Sequence, residues 1–172
     1  MEILEYQAAL LAMGTLSADN IKSTISRLMD DGYYTDECLD ALDSSPATFG
    51  EVLPAFTRAL EDYRIEQPDK EQAVWQLIRY HLRRIVSESD SLKYLEQLIA
   101  DVYWDYDFHA VAKKYLGDSH DIERIVGLYW EIDEVLEHSS EKNFNKMYGD
   151  TLVELKNHVQ SEALRWLDAH PN

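Results

Sequence analysis

Residues 68–85 read PDKEQAVWQLIRYHLRRI, and their periodicity decides the fold class. Ala73, Leu77, Tyr80-His81 and Ile85 recur at the 3.6-residue spacing of one helix face. Pro68 stands ahead of this stripe, and Asp69-x-x-Gln72 has the spacing of a capping box at its start. No strand explains such a pattern, because a half-buried strand alternates every second residue.

Working outward, the same grammar repeats. Towards the N-terminus, Ile3, Tyr6, Ala9-Leu10 and Met13 predict a helix over 2–13, stopped by Gly14 in a left-handed turn. Ser17 caps a second helix with Ile21, Ile25, Leu28 and Met29 on its face, and Gly32 closes it. Thr35 caps a short third helix through Cys38, Leu39 and Leu42, which Ser44-Ser45-Pro46 breaks. Thr48-x-x-Glu51 predicts a fourth helix carrying Val52, Leu53, Phe56, Leu60 and Tyr63, with Pro54 expected in its first turn, where a missing N–H costs little.

Towards the C-terminus, a helix is expected from about Ser91 through Leu95, Leu98-Ile99 and Val102. Residues 104–116 read as a turn and a short helix ended by Gly117. Asp118 or Ser119 is then expected to cap a helix bearing Ile122, Ile125-Val126, Tyr129, Ile132-Asp133 and Leu136. A last helix carries Leu152, Leu155, Val159, Ala163 and Trp166, and residues 168–172 read as a frayed end. No window alternates with period two, and no Asn-Gly or Asp-Gly hairpin signal occurs. The expectation is one all-α domain over 1–172, with eight or nine helices of 9–20 residues packed as antiparallel pairs, compatible with a short right-handed superhelix.

Charge bounds the partners. Thirty-three acids oppose sixteen bases, a formal net charge of −17 on 172 residues. Residues 1–68 hold 13 acids and 4 bases, and 101–138 hold 10 and 3. Such a surface repels nucleic acid and anionic membrane and steers cationic partners towards it. Cys38 is the single cysteine, which excludes an internal disulfide, and it reads as a small apolar helix residue. The start Met1-Glu2-Ile3-Leu4-Glu5 lacks a basic leader, and no apolar run nears the ~20 residues of a membrane span. A cytoplasmic location is therefore expected.

The densest chemical cluster is Tyr103-Trp104-Asp105-Tyr106-Asp107-Phe108-His109, followed by Gly117-Asp118-Ser119-His120-Asp121. A calcium loop starting at Asp105 would need glycine at its sixth position and an acid at its twelfth, where Ala110 and Leu116 stand. Starting at Asp107, Ala112 still replaces the glycine. Neither Glu-x-x-His nor His-Glu-x-x-His occurs, and no Gly-x-Ser-x-Gly elbow or phosphate-cradling glycine loop is present. His109, His138 and His158 each follow an acid by four residues, a spacing that stabilises helices without any further role. The basic island of Arg79, His81, Arg83 and Arg84 reads as an intramolecular partner for the acidic surface.

Rings beside carboxylates favour recognition of a cationic, partly apolar partner. The candidate partner-binding residues are Tyr103, Trp104, Asp105, Tyr106, Asp107, Asp118, Asp121, Trp130 and Glu134, with Trp130 projecting away from the apolar stripe of its helix. No catalytic residue, metal or cofactor is assigned. Two other readings are a helical DNA mimic and a carboxylate-metal hydrolase around Asp105, Asp107, His109, Asp118 and His120.

The segment Leu95-Glu96-Gln97-Leu98-Ile99-Ala100-Asp101-Val102-Tyr103-Trp104-Asp105-Tyr106-Asp107 resembles a bacterial family of unassigned helical proteins with a Tyr-x-Asp-Phe-type stretch, often linked to toxin–immunity loci. Here Val102 intervenes and Tyr106 replaces the phenylalanine. The resemblance implies a non-enzymatic, cytoplasmic immunity protein that neutralises a basic toxin domain by binding, and it transfers no catalytic residues.

Overall fold

The computed structural model describes residues 2–103, 120–140 and 144–171. Among them there are eight α-helices and no strand: α1 Glu2–Met13, α2 Ala18–Asp30, α3 Asp36–Asp43, α4 Phe49–Asp62, α5 Lys70–Ser87, α6 Ser91–Leu98, α7 Glu123–Glu137 and α8 Phe144–Ala169. A π-helical turn, Ile99–Tyr103, continues α6. The all-α expectation holds. The helices group into two compact units, Met1–Gln76 and Leu77–Asn172, whose boundary falls inside α5.

Unit one is built by α1 to α4 and the start of α5. Local capping sets its helix ends. Ser17 Oγ accepts the Asn20 N–H at 3.1 Å, and Thr35 Oγ1 accepts the Cys38 N–H at 3.3 Å. Gly14 and Gly32 end their helices at φ +80 and +94, a region that a side chain resists. Helix α2 packs on α1, α3 and α4, and α3 packs on α4. The buried faces carry Leu4, Leu10, Ile21, Ile25, Cys38, Val52 and Phe56.

Two details in this unit differ from the sequence reading. On α1 the buried set is Leu4, Gln7, Ala8, Ala9, Leu10 and Met13, whereas Ile3 and Tyr6 are half-buried. Gln7 turns inward because α2 offers it partners: its Nε2 donates to Thr24 Oγ1 at 2.7 Å and to the Asn20 carbonyl at 3.2 Å. Pro54 lies at the sixth position of α4 and not in its first turn, because Thr48 is the cap and Phe49 the first helical residue. The proline therefore offers no N–H to the Gly50 carbonyl four residues earlier.

Unit two contains the later part of α5, α6, the π turn, α7 and α8. Helix α8 packs on α6 and α7. Leu77, Ile78, Leu82 and Ile85 of α5, Leu95 and Leu98 of α6, Ile125 and Ile132 of α7, and Leu155, Val159, Ala163 and Trp166 of α8 are buried. Asp69 and Gln72 exchange two hydrogen bonds ahead of α5, as their spacing predicts. Helix α7 begins at Glu123 with Ile122 in the cap position, so neither Asp118 nor Ser119 caps it. The expected short helix over 104–116 lies outside the described residues. The C-terminal end is held further than the sequence implies: Asp168 and Ala169 stay helical in α8, whose 26 residues exceed the expected range.

Two measurements test this packing. Phe56 is fully buried on α4, so Phe56→Ala should cost about 3–5 kcal/mol in chemical denaturation. At the start of α4, Glu51 Oε2 accepts the Thr48 hydroxyl at 2.6 Å and the Thr48 N–H at 3.1 Å. These bonds, the hydroxyl's first, hold the Glu51 carboxyl below the usual range. Their contribution is complete above the ordinary glutamate pKa and is lost as pH falls through the lowered one. In Thr48→Ala, an NMR titration should find the Glu51 carboxyl moved back up, and the acid-side loss of stability should shrink.

Candidate functional site

Helix α7 carries an outward stripe of unusual make-up. Trp130, Asp133, Glu134 and Glu137 fall at i, i+3, i+4 and i+7, on one face, and all four are exposed. Trp130 shows 41% of its surface. Its indole meets the Tyr129 ring edge-on at 5.0 Å. The inward stripe holds Ile125 and Ile132, so Trp130 and the three acids stand off the buried side of the helix.

The stripe is electrostatically negative. Among the described residues, Asp133, Glu134 and Glu137 form no ion pair, and Arg124, the one base of α7, is taken by Glu162 of α8 at 3.3 Å. The neighbouring phenol registers that field: burial pushes the Tyr129 hydroxyl up, and the Asp133 and Glu96 carboxylates push it further. An indole with three free carboxylates around it gives apolar contact area together with long-range attraction for cations.

The other expected residues divide in two. Trp104, Asp105, Tyr106, Asp107 and Asp118 lie outside the described residues, as does the side chain of Tyr103. Asp121 is described, and it does not share the α7 face. Its backbone is left-handed at φ +57, and its Oδ2 stands 3.2 Å from Nε2 of His170. The His170 Nδ1–H donates to the Trp166 carbonyl at 2.9 Å, and the two rings stack at 4.4 Å. Trp166 in turn donates Nε1–H to the His120 carbonyl at 2.8 Å. Asp121 thus tethers the end of α8 to the turn before α7 through a carboxylate that stays largely exposed.

The basic island of α5 finds partners inside the protein. The fully buried His81 donates Nε2–H to Asp101 Oδ2 at 2.7 Å, from the π turn, and Arg84 pairs with Glu88 at 3.0 Å. Arg79 donates to the His170 carbonyl at 3.4 Å. A groove of about 380 Å³ lies between α7 and α8 over Gly127 and Leu128, with His158 and Ser161 on its far wall. Ser161 donates its hydroxyl to the Asn157 carbonyl at 2.9 Å and not to His158. Among the described residues, no three His, Cys, Asp or Glu converge on a point that could hold a metal ion. Of the hydrolase residues, only His120 is described, and it is fully buried.

One surface was missed. Residues 30–43, DDGYYTDECLDALD, hold six exposed acids and no base. Tyr34 stands 68% exposed and Leu39 54% exposed among them. Rings or aliphatics beside carboxylates are the same signal that singled out 103–107. Here it was absorbed by the helix stop at Gly32 and the cap at Thr35.

The Trp166–His120 bond supplies a test of the tether. Trp166→Phe keeps the stacking ring but deprives a buried carbonyl of its donor, so it should lower stability by about 1–3 kcal/mol in denaturant melts.

Searches against protein-family models, curated proteins and solved structures gave no match for this chain.

Proposed function

We propose that the protein is a non-enzymatic binder of a basic protein partner, most concretely an immunity-type inhibitor that neutralises a basic toxin domain by covering it. One observation carries the reading: the exposed Trp130 of α7 stands in a stripe of three carboxylates that no base of the described residues neutralises. The net charge of −17 supports the sign of the partner, and the likeness of 95–107 to proteins of toxin–immunity loci supports its kind.

Binding of this type follows from two separable effects. The unpaired carboxylates accelerate encounter with a cationic surface and discriminate against acidic proteins. The indole then contributes burial and ring–cation contact at the centre. No helix of the described residues is long and apolar enough to cross a membrane.

The test takes a basic toxin domain as the titrant. Calorimetric titration should give an affinity that weakens steadily as salt rises, because screening shortens the reach of the carboxylates to ~8 Å at physiological ionic strength. Trp130→Ala should weaken binding by about 2 kcal/mol or more while leaving the melting temperature nearly unchanged. Affinity indifferent to salt would overturn electrostatic recognition. Loss of about 3–5 kcal/mol of stability in the variant would make Trp130 a core residue instead.

A further inference from the structure

Helix α4 has two organised faces, and only one of them meets the core. Val52, Ala55, Phe56, Ala59 and Leu60 are buried. Gly50, Leu53, Pro54, Thr57, Arg58 and Glu61 follow one another at i, i+3, i+4, i+7, i+8 and i+11, a second continuous stripe. With Glu37 of α3 as the facing wall, these six residues line an open groove of about 470 Å³. Eleven residues of helix span roughly 16 Å, the length of three turns of a second helix.

The chemistry of the groove is specific. Its floor is bare at Gly50, where an added Cβ would meet nothing within 4 Å, and apolar at Leu53 and Pro54. Arg58, the one base of the lining, is already engaged by Asp62 at 3.2 Å and Glu61 at 3.9 Å. On the α3 side, Asp36, Glu37, Asp40 and Asp43 are exposed and form no ion pair among the described residues, and Leu39 stands exposed between them.

We propose that the groove between α3 and α4 docks a basic amphipathic helix of a partner protein. Its apolar side chains lie over Gly50, Leu53 and Pro54, and its Lys or Arg side chains reach Glu37 and Asp40. Charge complementarity selects this occupant: the α3 side presents carboxylates, and the floor presents an apolar surface at Leu53 and Pro54. The inference rests on the reading that the protein binds basic proteins, and it adds a second contact surface to the α7 face.

The probe is an 18-residue helical peptide of Lys and Leu with its leucines on one face, with a scrambled peptide of the same composition as control, read by fluorescence anisotropy and amide chemical shifts. The ordered peptide should bind at least ten-fold more tightly than the scrambled one and shift amides over 37–61. A Cβ at Gly50 meets no atom within 4 Å, so Gly50→Leu sets a side chain over the groove floor and should erase that preference at an unchanged circular-dichroism spectrum. Equal binding of the two peptides would overturn the groove and leave charge alone as the driving force, which keeps the proposed function. Shifts confined to 123–137 would also overturn it, in favour of the α7 face. A dimer that Gly50→Leu dissolves would assign the groove to a second copy of the chain and overturn the proposal. Failure of both peptides to bind would overturn the groove and the basic-partner reading together.

Discussion

The cost of taking a carboxylate out of water governs this protein. An isolated ionised carboxyl cannot be buried without a partner or a neutralising proton, and acids outnumber bases thirty-three to sixteen. Among the described residues the chain complies fully: the buried polar side chains are Gln7, Thr24, His81, Ser91 and His120, with no Asp or Glu. Every helix must therefore reserve one carboxylate-free stripe for the interior and send its acids outward. The two-faced helices and the acidic exterior are the same fact seen from opposite sides.

That exterior is left largely unneutralised by the fold itself. Bases are spent locally: Arg58 on Glu61 and Asp62, Arg84 on Glu88, and Arg124 and Arg165 on Glu162. Exposed pairs of this kind add little stability. Their effect is to remove cations from the surface field, leaving α3 and α7 with carboxylates only. Self-repulsion of this sort works against a compact state, and a cationic partner relieves it. On the proposed function, charge that costs stability in the free protein is converted into affinity for that partner.

Features coded within four residues were legible in the sequence. The caps at Ser17 and Thr35 and the capping pairs Thr48/Glu51 and Asp69/Gln72 depend on nothing but local spacing, and all four form. Features coded by distant partners were not. The pairing of His170 with Asp121 spans 49 residues, and Gln7 faces inward only because Thr24, seventeen residues on, can accept from it. Pro54 stands six residues after the Thr48 cap, past the first turn, so it cannot supply the N–H that the Gly50 carbonyl would otherwise receive from four residues on. At the site, Trp130 and Glu134 were legible through helical spacing, whereas Asp121 resembled them only by its neighbours in sequence. The acids of 30–43 share their stretch with the turn at Gly32 and the cap at Thr35, so local spacing alone does not set them apart as an exposed acidic surface.

The bond between Gln7 and Thr24 has a consequence for how this fold can change over time. It is a buried polar link between α1 and α2, whose other buried residues on these helices are apolar. Sliding α1 by one turn would leave the leucines and alanines with equivalent surfaces but would strand the amide and the hydroxyl. The pair therefore acts as a key that admits one axial register. Losing Thr24 leaves the amide only its longer bond to the Asn20 carbonyl, and losing Gln7 takes away the hydroxyl's donor, while replacing both with apolar groups of like shape restores the balance. Positions 7 and 24 are thus bound to drift as a couple, polar together or apolar together, even where every surrounding core residue is free to vary singly.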